Sequence, residues 1–196
     1  FTTAQTDIGI FFLEDMWNRN ISNLFASPIK ISELIISTAL FGFIRCLLSF
    51  LFLISIAYLL YSFNIMGIGI VYVSIFASGL VLFGWTAGVF IAGLIFRYGT
   101  KVQSFLWMSS WLIQPLSAVF YPVHSLPIMV QKISLIFPST YIFEGMRAAF
   151  NKSVLDLNSL ILSFAINIIL LILAYAFFES SIAAAKKKGM LTKYTK

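Results

Sequence analysis

The stretch QPLSAVFYPVHSLPIMVQKISLIFPSTYIFEGMRAAF, Gln114 to Phe150, decides how this chain is read. It holds Pro115, Pro122, Pro127 and Pro138, four of the five prolines. Two apolar runs follow one another here, each shorter than the roughly 20 residues that a membrane-spanning helix needs. Pro is tolerated in the first turn of a helix, and the residue before it disfavours helix. Pro127 therefore opens the first run and Pro138 closes it. The second run starts at Thr140 or Tyr141 and carries Glu144 and Arg147. The pattern predicts a broken helical hairpin, re-entrant in the membrane, between two full spans. Such a device suits a protein that moves material across a bilayer better than one that is only anchored there.

Composition supports the membrane setting. Of 196 residues, 60% are hydrophobic and 10% are charged, and mean hydropathy is +0.97. A soluble domain carries about 25% charged residues, so the predicted class is a polytopic membrane protein. Twenty-one Phe residues suit lipid-facing surface and interfacial belts. The net charge of +6 is no sign of nucleic acid, because the basic residues sit at span ends and in the tail. The single cysteine, Cys46, lies inside an apolar run, which excludes a disulfide within the chain. The chain begins at Phe1 and shows no signal-peptide pattern.

Taken in order, Phe1 to Phe12 is too polar for the middle of a span. It reads as the last turns of a preceding span or as a polar-lined one. Leu13 to Pro28 (LEDMWNRNISNLFASP) has helical period. Leu13, Met16, Trp17, Ile21, Leu24 and Phe25 fall on one face; Glu14, Asp15, Asn18, Arg19 and Ser22 fall on the other. This predicts an amphipathic helix, either lying on the membrane surface or docked to a partner.

Four full spans follow, at about Leu34–Tyr61, Ile68–Phe96, Val102–Phe120 and Leu157–Phe178. The first contains Arg45, read either as a functional intramembrane charge or as a snorkelling side chain, with no acidic partner nearby in sequence. Asn64, Met66 and Gly67 form a turn before the second span. That span carries Gly84, Gly88 and Ala92, a ladder of small residues for close helix packing, within the subunit or at a dimer interface. Asn151 to Asp156 forms a polar turn before the last span. Arg19, Lys30, Arg97, Lys101 and the tail lysines Lys186, Lys187, Lys188, Lys193 and Lys196 fall on one side, nine of 13 basic residues. Lys132, Arg147 and Lys152 fall on the other. The positive-inside rule makes the first side cytoplasmic and places the hairpin, 121–156, outside.

Enzyme chemistry is not written in the chain. His124, the only histidine, lies between two prolines and reads as a loop residue. No HExxH, GxSxG or paired-carboxylate pattern occurs, and no GxxxxGK[ST] motif for ATP. Any driving energy must come from another polypeptide or an ion gradient. Glu144 and Arg147, three apart on a short helix, share a face, either as a pair that holds the hairpin's shape or as substrate contacts. The four full spans carry no acidic residue apart from Glu33 and Glu179 at their ends, which counts against a gradient-driven carrier or channel.

Three stretches together are familiar. Leu13–Leu34 (LEDMWNRNISNLFASPIKISEL), Leu82–Gly99 (LFGWTAGVFIAGLIFRYG) and Gln114–Phe150, with its order of P, YP, LP, P-T and EGMR, resemble the membrane subunit of type-two ATP-binding-cassette exporters. These are permeases for polysaccharides, lipids and drugs. The resemblance implies an all-α, polytopic transmembrane bundle with an amphipathic cytoplasmic coupling helix and an external broken hairpin. It implies one permease domain over 1–196 that lacks its first span and most of the second, the N-terminus being truncated. It places the ATPase-coupling helix at Leu13–Pro28, with Glu14, Asp15, Trp17, Arg19, Leu24, Phe25 and Pro28. It makes Pro115, Tyr121, Pro122, Pro127, Pro138, Glu144 and Arg147 the external hairpin or gate. The implied partners are an ABC ATPase subunit that binds the ATP, a second permease copy or paralogue, and membrane lipid. No cofactor, metal or nucleic acid is implied for this chain. The implied function is export of an amphiphilic, lipid-linked or drug-like substrate across the cytoplasmic membrane. Two other readings stay open, a gradient-driven carrier or channel, and a membrane scaffold or enzyme using His124 or Glu144.

Overall fold

Long apolar runs rich in Leu, Ile and Phe form helices here because helix closes every backbone hydrogen bond within the segment, as a bilayer demands. A computed structural model describes residues 1–18, 20–61, 69–152 and 157–187. Among these the chain is all-α, in eight helices: α1 (Thr2–Trp17), α2 (Ile21–Ala26), α3 (Ile31–Tyr61), α4 (Ile70–Tyr98), α5 (Gln103–Leu116), α6 (Ile128–Ser134), α7 (Pro138–Lys152) and α8 (Leu157–Lys187). Short 3-10 turns at Gly99–Val102 and Val123–Ser125 join α4 to α5 and lead into α6. The expected turn at Asn64, Met66 and Gly67, together with Arg19, Lys188, Lys193 and Lys196, lies outside the described residues.

Among the described residues three stretches are long and apolar enough to cross a membrane: Ile31–Leu60, Ile70–Leu116 and Leu157–Lys187. The middle one folds back on itself. Gly99 has φ 73°, a left-handed conformation that favours glycine, and there the chain reverses. Contacts with α1 give the directions. Gly84 and Gly88 of α4 meet Ala4 and Ile8, so α1 and α4 run parallel. Gln5 and Gly9 meet Ser109 and Leu106 of α5, which therefore runs the opposite way. The expected third span, Val102–Phe120, is corrected: α5 stops at Leu116 after 14 residues, about 21 Å of helix, short of a hydrocarbon core of about 30 Å. Pro115 and a left-handed Ala118 (φ 55°) end it. The last helix is longer than expected and carries on past Phe178 to Lys187.

The core lies where α1, α4 and α8 meet. Phe12, Phe96 and Phe178, one from each helix, are fully buried with ring centroids 5.3 to 5.7 Å apart. Close approach depends on the glycines of α4. A Cβ on Gly88 would stand 2.9 Å from the Gln5 carbonyl oxygen, so only glycine lets the backbones meet. The Gly84–Gly88–Ala92 ladder is thus used inside the chain. A second, smaller cluster of Phe76, Ile142 and Leu160 seats α7 against α4 and α8. Buried amide and hydroxyl groups add interhelical bonds, Asn167 Nδ2 donating to the Gly79 carbonyl (3.2 Å) and Ser163 Oγ to the Pro138 carbonyl (2.9 Å). By contrast α3 leaves a broad apolar face uncovered, including Leu48, Phe52 and Leu59.

The end of α1, α2, the start of α3, the α4–α5 reversal and the end of α8 therefore lie at one end of the bundle. The α6–α7 hairpin and the start of α8 lie at the other.

Candidate functional site

At the first end, Leu13–Pro28 does not form the single amphipathic helix expected from its period. Leu13 to Trp17 are the last residues of α1, which ends there, and the six residues of α2 start at Ile21 as a separate helix. Asparagines favour such breaks because their side chains compete with the backbone for hydrogen bonds. The Asn18 amide donates to the Glu14 carbonyl (2.8 Å) and the Asn20 amide to the Asp15 carbonyl (2.9 Å). Asn20 Nδ2 also reaches the Asp15 carboxylate at 3.2 Å. The joint is therefore closed by local bonds.

Burial divides the expected apolar face. Leu13, Met16 and Ile21 are buried in the core and Leu24 packs against it. Trp17, the last residue of α1, is 48% exposed, contrary to its place on that face. Glu14 and Pro28 are exposed and Asp15 is half-buried. The Phe25 backbone belongs to α2, and its side chain lies outside the described residues. After Pro28, the Lys30 amide donates to the Glu33 carboxylate (3.1 Å), capping the start of α3.

At the other end the prolines punctuate the chain. Pro115 lies inside the last turn of α5, and its carbonyl accepts the Tyr121 hydroxyl at 3.2 Å. Pro122 precedes the Val123–Ser125 turn and Pro127 precedes α6. Pro138 does more than close the first run. It is the first residue of α7, two residues earlier than the expected start, because its fixed φ is already suited to a helix's first turn. At its far end α7 includes Asn151 and Lys152, which the sequence places in a turn; residues 153–156 lie outside the described residues. The two short helices are tied by Thr140 Oγ1 to the Ser134 carbonyl (2.6 Å) and Tyr141 hydroxyl to the Leu135 carbonyl (3.0 Å).

Glu144 and Arg147 hold the loop before α6. Arg147 Nη1 donates to Glu144 Oε1 at 3.0 Å, and the same oxygen accepts the Val123 amide at 2.8 Å. Arg147 Nη2 donates to the carbonyls of Ala118 and Val119, the latter at 3.1 Å. Ala118 is the described non-glycine residue with positive φ, and it is fully buried. The guanidinium thus binds the strained turn that ends α5. Ser139 Oγ donates to Ser117 Oγ at 2.8 Å beside it. His124 is exposed on this loop. Among the described residues no group of His, Cys, Asp and Glu could hold a metal ion.

Between the two ends lies an ion pair that sequence distance hid. Arg45 of α3 and Asp7 of α1 are 2.7 Å apart, the Asp7 side chain only 6% exposed. Arg45 thus has an acidic partner, distant in sequence, and an acidic side chain from outside the four expected spans is buried within the bundle. A signal was available, since an intramembrane Arg calls for a carboxylate somewhere in the fold. Nearby, Gln5 Nε2 donates to Ser109 Oγ of α5 at 2.7 Å. Phe83, Phe90, Phe105 and Phe177 of α4, α5 and α8, with Phe137 from the hairpin, line an apolar groove of about 380 Å³ that Ser109 also borders.

The described residues thus form an all-α bundle with helices long and apolar enough to cross a membrane, a polar joint at one end and a proline-punctuated hairpin at the other. The ABC-2 type transporter family model matches residues 1–151, and the chain belongs to that family. It is a membrane subunit of ABC-type transport and is not itself the catalytic component. Permeases of this family normally work with an ABC ATPase partner. No curated protein and no solved structure matches the chain.

Proposed function

We propose that the chain is the permease subunit of an ATP-driven exporter that moves an amphiphilic, lipid-linked or drug-like substrate outward across the cytoplasmic membrane. The observation that carries this reading is the division of labour between the two ends of the bundle. The Asn18–Pro28 joint, with exposed Trp17 and Glu14, sits at the end that also gathers Lys30, Arg97, Lys101, Lys186 and Lys187. The positive-inside rule makes that end cytoplasmic. There α2 and the end of α1 meet a partner ATPase, and its closure is passed to α1 and α3 as rigid-body motion. The hairpin, held by Glu144 and Arg147, caps the outer end. A second copy or a paralogue completes the pathway, which runs between apolar and aromatic surfaces.

The test is reconstitution with a co-purifying ABC ATPase, with and without Trp17→Asp. Transport should need ATP and the ATPase and should fall at least about tenfold in the variant, whose half-exposed side chain leaves folding intact. Transport by the purified chain alone would sink the reading.

The buried carboxylate of Asp7 favours one rival, a gradient-driven carrier, because such carriers use intramembrane acids. An uncoupler added to ATP-replete vesicles separates them. Export that continues supports the ATP-driven reading, and export that collapses supports the carrier.

A further inference from the structure

The Phe-lined groove of about 380 Å³ has a different feature at each end. At the outer end Phe137 of the hairpin meets Phe83 edge-on, with ring centroids 6.2 Å apart. At the basic end the Arg97 guanidinium stands 5.8 Å from the centroid of the Phe177 ring, and Phe177 in turn meets Phe90 at 5.0 Å. Phe83, Ala87 and Phe90 line the groove, and Arg97 continues their helical spacing on the same face of α4. Two hydroxyls border the groove, and both donate to carbonyls of their own helices: Thr86 to Leu82 at 3.0 Å and Ser109 to Leu106 at 3.1 Å. The walls are therefore apolar in effect as well as in composition. On α8 they run from Leu170 to Phe177, about 10 Å of helix, which fits within one leaflet of a hydrocarbon core about 30 Å thick.

The carboxylates of the basic end face elsewhere. Glu179 lies two residues past Phe177, about 200° round α8, and borders a separate pocket with Tyr175 and Lys186. Glu14 and Asp15 sit in the last turn of α1, which packs on the Gly84 and Gly88 face of α4. Arg97 is nine residues past Gly88, about half a turn out of phase with that face. Glu33 caps the start of α3 at the Lys30 amide. Among the described residues no carboxylate pairs with Arg97, which is exposed. Lys101, exposed in the reversal just beyond it, carries the same sign of charge. A guanidinium held at an aromatic ring keeps the N–H fork that lies in its own plane, so Arg97 still offers that fork to an anion.

We propose that the groove holds the alkyl chain of an anionic, single-chain amphiphile, with its headgroup on Arg97 and its chain end against Phe137. As the inner-leaflet site of the cargo, this rests on the exporter reading above. It gives that cargo a chemistry: one negative charge on one long apolar chain. Because Phe137 belongs to the hairpin, the same element that caps the outer end also stops the chain on its outward path.

Photo-cross-linking of the full chain in phosphatidylcholine nanodiscs tests this. The probes are a long-chain alkyl sulfate with a mid-chain diazirine and the matching uncharged alcohol. The sulfate should label Phe90, Phe105 or Phe177 about fivefold more than the alcohol, the preference that one cation near the membrane surface confers. Arg97→Gln should erase that preference and Arg97→Lys should keep most of it. Ala87→Phe, which fills the groove, should stop groove labelling by both probes. Equal labelling by the two probes, a preference that survives Arg97→Gln, or labelling as heavy on Leu48 and Phe52 of α3 as on the groove overturns the proposal. So does added phosphatidylglycerol that removes the groove label and spares the α3 label, which would make the groove a seat for bilayer lipid. No ATPase takes part, so these outcomes are separate from failure of the exporter reading. With the ATPase present, export of the sulfate should fall in Ala87→Phe, and equal export would overturn the groove as the cargo's site. Thermal melting checks folding, and if Ala87→Phe does not fold, the variants of exposed Arg97 decide.

Discussion

Arg45 donates a hydrogen bond of 2.7 Å to Asp7 across the contact between α3 and α1, joining residues 38 apart in the chain. The two partners are unequally placed. The Asp7 side chain is 6% exposed and that of Arg45 is 59% exposed. Beside them Gly42 leaves the room, since a Cβ there would stand 3.2 Å from Asp7 Oδ2. Removing Arg45 strands a buried carboxylate, whereas removing the charge of Asp7 leaves an arginine able to reach towards the headgroups. Arg45→Met should therefore destabilise by about 2 kcal/mol and Asp7→Asn by less. Thermal melting in detergent checks it, and the reverse order would contradict the asymmetry. Because the pair acts as a unit, the double variant carrying both Asp7→Asn and Arg45→Met should melt close to Arg45→Met or above it.

The hairpin makes a second prediction. Glu144 Oε1 accepts the Val123 amide, and a glutamine retains that acceptor while losing the charge. Hydrogen exchange at Val123 should quicken markedly in Glu144→Ala and only slightly in Glu144→Gln. Arg147→Ala should go further and expose the whole segment from Ala118 to Val123 to exchange, because two carbonyls of the left-handed turn lose their donor. Protection unchanged in Arg147→Ala would show that the turn holds without it.

The α1–α4 contact makes a third. At Gly88 a methyl group would press on the Gln5 carbonyl oxygen and on Ile8. Gly88→Ala should cost about 1–3 kcal/mol, the usual penalty of overpacking. It should also part Gln5 from Ser109, since α1 must move away from both α4 and α5. A cysteine pair introduced by Gln5→Cys and Ser109→Cys should cross-link readily while Gly88 is kept, and poorly once Gly88→Ala is added. Equal cross-linking would mean that the helices adjust elsewhere.

At the joint, Leu24 and Trp17 should behave differently. Leu24 packs on the core, so Leu24→Asp lowers thermal stability by about 2 kcal/mol or more by burying a charge. Trp17 is half-exposed, so Trp17→Ala should stay within about 0.5 kcal/mol of wild type. If Trp17→Ala also leaves ATPase binding unchanged, the partner surface lies elsewhere on this end.

Most of the architecture was legible from local signals. Hydropathy located α3, α4 and α8 because a bilayer tolerates long apolar helices and little else. The prolines placed both ends of α6 and the start of α7 within a few residues, since proline acts on its own turn and the residue before it. The start of α7 was still missed by two residues, because Pro138 can close one helix and open the next. The Leu13–Pro28 period was misleading for the opposite reason. A period of apolar residues does not say whether the helix that bears it is continuous, and two asparagines broke it.

By itself the sequence determined a helical membrane protein, its apolar runs, its punctuated hairpin and the crowding of basic residues towards one end. Each depends on composition or on neighbours along the chain. Only the tertiary structure decided that Asp7 meets Arg45, that Arg147 binds the turn at Ala118, and that α5 is a short return helix against α1. Those relations join residues tens of positions apart, and charge pairing and backbone hydrogen bonding leave no periodic trace along the sequence. The prolines around Gln114–Phe150 marked where the chain must bend; the carboxylate of Glu144 and the guanidinium of Arg147 decided how the bend is held.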